Sequence, residues 1–145
     1  MEAVETKEQT TGQSKGTVKI TICKSLSGIA EGAELVHQEF EKQIKELQAN
    51  AELGAGGCSM GQVGCRGYCS KDVLVDVYVP GQDPVTYEKV KPEMVVKILK
   101  DHVIGGKVFK KAAAKDDYYE NLKKQKRVAL EFGGRIDPES IDEYL

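Results

Sequence analysis

Thr17-Val18-Lys19-Ile20-Thr21-Ile22-Cys23 alternates apolar Val18, Ile20 and Ile22 with polar Thr17, Lys19 and Thr21. A period of two marks a strand with one face toward a core, so this stretch predicts a strand ending at Cys23. The period then changes. After a Ser/Gly loop from Lys24 to Gly28, Ala33, Val36, Phe40, Ile44, Leu47 and Ala51 recur at steps of three and four. That spacing predicts a long helix with one apolar stripe. Glu34, Glu41, Lys42, Lys45 and Glu46 form its solvated side, and Gly54, Gly56 and Gly57 are expected to end it.

The rest of the chain extends this order. Cys58 to Gly64 predicts a short strand entering the loop Cys65-Arg66-Gly67-Tyr68-Cys69. Val73, Val75, Val77 and Val79 alternate with Leu74, Asp76 and Tyr78, a strand closed by Pro80-Gly81. Val85 to Val90 follows after a short connection and predicts the second arm of a hairpin. Pro92 opens a helix through Val95, Ile98, Leu99, His102 and Val103, which Gly105-Gly106 stops. Residues 17–106 therefore read as one α/β sandwich with a small sheet and flanking helices. Residues 1–16 are polar and aperiodic, the pattern of a disordered leader. Residues 107–145 mix lysines with acids and offer only Val108, Phe109, Val128, Leu130 and Phe132 for packing. They are expected to be a connecting tail that needs a partner surface, another subunit or a further domain.

Composition narrows the function. The chain has 145 residues, one domain's worth. Its 21 Lys and Arg against 23 Asp and Glu give a net charge of -2, which argues against nucleic-acid binding. No apolar run approaches the ~18 residues of a membrane span, and the first residues lack the apolar region of a signal peptide. A reducing, cytoplasmic setting is the expectation, and there cysteines serve as metal ligands or reactive thiols more often than as disulfides. Gly54-Ala55-Gly56-Gly57-Cys58-Ser59 lacks the last glycine of a dinucleotide fingerprint and follows a helix instead of a strand. There is no Walker Gly-Lys-Ser/Thr, and the carboxylates show no acid–base pair. No catalysis is expected from this chain alone.

The chemistry rests on four cysteines, at 23, 58, 65 and 69. Cys23 stands where a strand meets a loop. Cys65 and Cys69 are a tight pair in a Gly-containing loop, a spacing that can turn two thiolates onto one iron at ~2.3 Å. Gly64 and Gly67 allow positive φ and let backbone N–H groups point at sulfur. Arg66 and Tyr68 shape that loop. With no C-x2-C and both His37 and His102 on helices, an iron–sulfur centre fits better than zinc. Cys58 is either the fourth ligand or a small core side chain. A straight strand puts it ~20 Å from Cys65; Gly57, Gly61 and Gly64 are where the chain could fold it back.

These residues resemble the N-terminal thioredoxin-like [2Fe–2S] ferredoxin domain on flavoprotein subunits of NADH dehydrogenases, NAD-linked hydrogenases and electron-bifurcating complexes. The likeness runs from about Thr17 to the end, and its most specific stretch is Gln62 to Ser70. Val90 to Met94, His102 to Gly106, Gln125 to Leu130 and Gly134 to Tyr144 extend it. The resemblance implies a thioredoxin-like fold with a four-stranded mixed sheet and a [2Fe–2S] cluster. It also implies partners in an FMN/NADH flavoprotein domain and other Fe–S subunits, with no nucleic acid and no membrane insertion. The second ligand pair, Cys65 and Cys69, matches the family pattern. The first reads C-x4-C in the family; Cys23 fits its first position, but Gly28 stands at the second, with Ser25 and Ser27 nearby. Two readings follow. One is an electron-transfer module with Cys23, Cys65 and Cys69 as ligands and Cys58 as candidate fourth. The other is a docking domain that has lost its cluster and serves subunit assembly.

Overall fold

The computed structural model describes residues 16–53 and 56–145; the expected leader lies outside them except for Gly16, as does Gly54. Strand β1 is Val18–Cys23, as its alternation requires. Beyond it the expected Ser/Gly loop is instead a short helix, α1 (Leu26–Ala30), because the Ser25 hydroxyl caps it by accepting from the Gly28 N–H at 3.1 Å. Helix α2 spans Ala33–Ala49 and buries Val36, Phe40, Ile44 and Leu47, the expected stripe. It stops before the glycines, at an Asn50 cap followed by Ala51 with φ 58°. Strand β2 (Cys58–Val63) comes next, then a single 3-10 turn at Cys69–Lys71. Strands β3 (Val75–Tyr78) and β4 (Val85–Tyr87) are shorter than their sequence patterns. Helix α3 (Pro92–Lys97) has Pro92 in its first turn and continues as a π-helical stretch, Ile98–Ile104. Helices α4 (Asp116–Lys124) and α5 (Ile141–Tyr144) follow. No helix among the described residues is long and apolar enough to cross a membrane.

The four strands form one sheet in the order β2-β1-β3-β4, with β1 and β2 parallel and the other pairs antiparallel. Register sorts the side chains onto two faces. Ile20 lies beside Val77 and Val77 beside Val85, while Ile22 lies beside Val75 and Val75 beside Tyr87. These apolar rows join Val36, Phe40 and Ile44 of α2 and Val95, Ile98 and Leu99 in the main core. One residue along, Thr21 lies beside Asp76 and Asp76 beside Thr86, a polar row on the opposite face. Residues 112–116 run on from the edge of β4, where Ala113 bridges Tyr87, and lead into α4.

His102, to which the sequence assigned no role, is fully buried. The Tyr87 hydroxyl accepts from the Phe109 N–H at 3.3 Å and shares a hydrogen bond of 2.9 Å with His102 Nδ1. Burial lowers the His102 pKa below its usual 6.5. The unfolded chain then takes up this proton before the folded chain does, and stability falls as pH drops below 6.5. His102→Gln is expected to flatten that decline. Urea-unfolding midpoints measured across the window check it; an unchanged slope would show that another group sets the acid limit.

Candidate metal centre

Cys23 closes β1 with its N–H donated to the Leu74 carbonyl at 3.0 Å, and its side chain is 1% exposed. It packs with Val63, Leu74 and Tyr68, and its Sγ lies 3.9 Å from the Gly64 carbonyl. Burial pushes this thiol up, while hydrogen bonds to Ser25 pull the other way. Cys65 and Cys69 are exposed on the loop beyond β2, their sulfurs 3.7 Å apart. Two thiolates held ~2.3 Å from one tetrahedral ion stand about 3.8 Å apart, so this pair fits a single iron. Gly67, at φ 84°, turns its N–H onto Cys65 Sγ at 3.3 Å, the sulfur-directed donor expected of this loop. Gly64 does something else. Its N–H goes to the Ile136 carbonyl at 3.3 Å, and Pro138 packs against its α-carbon side. Hydrogen bonding to Cys65 raises the pKa of Cys69.

Cys58 is not brought to the other three. It begins β2 opposite Val18, whereas Cys23 lies opposite Val63 at the far end of the same pair of strands. Five strand steps separate those ends by roughly 16 Å. Parity separates them as well: Cys58 shares the face of Val18 and packs on the main core, while Cys23 belongs to the opposite face. Burial alone raises its pKa to about 11, the environment of an unreactive structural thiol.

Between Cys65 and Cys69 the chain sends Arg66 inward. Its guanidinium grips Asp76 of β3 with two hydrogen bonds, the one from Nη1 at 2.9 Å. The Thr86 hydroxyl donates to the same carboxylate at 2.6 Å. Burial works against the Arg66 charge, but Asp76 and then Tyr118 more than offset it and raise its pKa. The segment after residue 106 closes over this pair. The Tyr118 hydroxyl accepts from Arg66 at 3.3 Å and its ring packs on Tyr68 with centroids 4.8 Å apart. Arg127 donates to the Arg66 carbonyl at 2.6 Å and to Gly133 at 3.1 Å. Gly134 lies so close that a Cβ there would be 2.6 Å from Arg66 Cβ, and its φ of 74° also demands glycine. Gln62 donates to Asp137 at 3.0 Å. A cleft of about 690 Å³ remains between the cysteine loop and this segment, lined by Tyr68, Tyr118, Leu122, Arg127 and Leu130.

Three polar residues that sequence reasoning left without a role support the site. Asp76 interrupts the run Val75-Asp76-Val77, and an acid in a strand this apolar needs a buried cation; that was the available signal. Ser25 was noted only as near Gly28, yet its hydroxyl both caps α1 and donates to Asp72 Oδ2 at 3.2 Å. Asp72 is buried, 6% exposed, and its Oδ1 has no protein partner. No three His, Cys, Asp or Glu among the described residues surround one point closely enough to enclose a single metal ion. A two-iron centre asks for something different, two separate donor pairs.

The chain is similar to solved structures of a thioredoxin-like [2Fe–2S] ferredoxin from Aquifex aeolicus. One is 23% identical with a TM-score of 0.58, covering 69% of this chain and 92% of that one. The wild-type ferredoxin gives the same identity and TM-score over 70% of this chain and 99% of its own. A cysteine-to-serine variant is 21% identical with a TM-score of 0.57. Likeness at this identity shows the fold, which is thioredoxin-like as the resemblance implied. No protein-family model and no curated protein sequence matches the chain.

Removing one partner of a buried ion pair leaves the other charge uncompensated. Asp76→Ala is therefore expected to cost roughly 3–5 kcal/mol in urea unfolding. Gly134→Ala should spare the core and loosen residues 125–145 from Arg66. Limited proteolysis is expected to cut that segment faster than in the parent chain, and equal rates would show that the contact carries little.

Proposed function

We propose that this chain is an electron-transfer module of an NADH-dependent oxidoreductase complex, built around a [2Fe–2S] cluster held by Cys65, Cys69 and Cys23. Such a cluster, when bound, takes up and returns one electron at a time. The observation that carries the reading is the exposed pair of sulfurs 3.7 Å apart at the end of a thioredoxin-like sheet. Cys65 and Cys69 would form one donor pair at the surface, and Cys23 would contribute from the buried end of β1. The Gly67 N–H stabilises negative charge on the Cys65 sulfur. Arg66 and Tyr68 hold the loop by its inner side and leave its sulfurs facing outward.

In this reading residues 17–106 are the ferredoxin domain and 107–145 lead toward a flavoprotein domain or subunit, with other Fe–S subunits as further partners. Two apolar surfaces support it. Leu26 and Ile29 of α1 are exposed beside the cysteine pair, where the Ser27 hydroxyl bonds the Cys69 carbonyl at 3.3 Å. Val128, Leu130 and Phe132 are exposed at the cleft side of the C-terminal segment. A second reading, a cluster-free docking domain, is favoured by one observation. A Cβ at Gly28 would lie 2.5 Å from the Cys23 carbonyl, so this chain has no room for a ligand where the family pattern has one.

Anaerobic reconstitution of the whole chain with ferrous iron and sulfide separates the two. A visible chromophore, about two irons per chain and a reduced S = 1/2 signal are expected for the carrier. Cys65→Ser or Cys69→Ser should diminish all three. A colourless chain that binds no iron would leave the docking reading in place.

A further inference from the structure

A two-iron cluster takes two donor pairs, and on the [2Fe–2S] reading, which this inference presupposes, Cys65 and Cys69 are one. The other has Cys23 and lacks a second cysteine. Cys58 lies at the wrong end and on the wrong face of the sheet. Gly28 has its α-carbon against the Cys23 carbonyl. The second pair must draw on side chains other than cysteine.

Two oxygen donors stand beside Cys23. The Ser25 hydroxyl accepts from the Gly28 N–H and donates to Asp72, so it is engaged in capping α1 and linking its neighbours. Asp72 is different. It directly follows the turn bearing Cys69, with its N–H on the Cys69 carbonyl at 3.2 Å. Ser25, two residues beyond Cys23, bonds its carboxylate, and the Cys23 N–H bonds the carbonyl of Leu74, two residues beyond Asp72, so the backbone holds it beside both cysteines. Ser25 satisfies Oδ2, while Oδ1 is buried with nothing to receive. A buried carboxylate oxygen left unmatched is costly, and native structures keep such atoms where something else fills the place. No lysine or arginine pairs with this carboxylate among the described ion pairs. Carboxylate oxygen is an established donor to protein-bound iron.

We propose that Asp72 is the fourth ligand, its Oδ1 completing with Cys23 the donor pair opposite Cys65 and Cys69. The site is then three thiolates and one carboxylate. Asp72 takes the role that Gly28 cannot fill, and Ser25 orients its carboxylate through Oδ2.

The test is anaerobic reconstitution of the full chain and its variants with ferrous iron and sulfide, read as iron per chain, visible spectrum and the EPR of the reduced form. Asp72→Asn keeps shape and size while losing the anionic oxygen, and Asp72→Ala removes the donor altogether. Both are expected to lose at least half of the bound iron and the reduced-state signal, with far-UV circular dichroism unchanged. Asp72→Cys is expected to keep the iron and show stronger sulfur-to-iron absorption with shifted g-values. Full iron and an unchanged signal in Asp72→Asn would overturn the assignment. So would loss of the cluster in Ser25→Ala with retention in Asp72→Asn, which would move the ligand to Ser25. A parent chain that binds no iron overturns the [2Fe–2S] reading itself, a result visible before any variant is made.

Discussion

Arg66 leaves an exposed loop between two cysteines and turns back into the protein to meet Asp76 in the middle of β3. Two charges buried this deeply are held in place by mutual need, since either one alone would cost several kcal/mol. Their geometry ties three things together. The loop that carries Cys65 and Cys69 cannot drift from the sheet, because its central side chain is anchored there. On that polar face of the sheet, Asp76 is met by both Arg66 and the Thr86 hydroxyl. The C-terminal segment also gains a dock, because Tyr118, Arg127 and Gly134 all meet Arg66. Buried ion pairs add little net stability over apolar packing, so the use of this one lies in where it puts the loop and the segment.

The two faces of the sheet divide the labour. One carries aliphatic side chains and Tyr87 into the core under α2 and α3, and supplies the hydrophobic stabilisation. The other carries Cys23, Thr21, Asp76 and Thr86 and is where Arg66 of the cysteine loop is anchored. Strand alternation enforces the separation, because neighbouring residues must point oppositely. It also explains why four cysteines do not make one four-cysteine site. Cys58 has the parity of the core face, and burial keeps its thiol protonated. Cys23 has the other parity and stands at the end of its strand where the cysteine loop returns.

The segment after residue 106 acts on the site from outside the sandwich. Its backbone and side chains contact Gln62, Gly64 and Arg66, the residues that lead into and through the cysteine loop. A partner that moved this segment would therefore act on the loop through short, direct contacts. This physical connection makes the tail part of the site's structure.

Much of this was legible in the residues alone. Alternation at Val18–Cys23 and Val75–Tyr78 and the three-and-four spacing of α2 are local patterns, fixed by which residues must face a core. The Cys65–Cys69 spacing and the positive φ of Gly67 are local as well. What sequence could not decide was everything set by contact between distant positions. Lys24 to Gly28 looked like a loop because Ser and Gly favour loops, until Ser25 found a helix to cap and Asp72, 47 residues away, to bind. Asp76 within an apolar strand signals a buried cation, but nothing in the sequence says that the cation is Arg66, ten residues away. The sequence by itself determined the strands, the main helix and the thiolate pair, because those depend on periodicity and spacing. Only the tertiary structure decided that Cys58 packs against the core, that Asp72 bonds Ser25 and the turn of Cys69, and that the tail locks Arg66. Face, register and burial exist only once the chain has closed on itself.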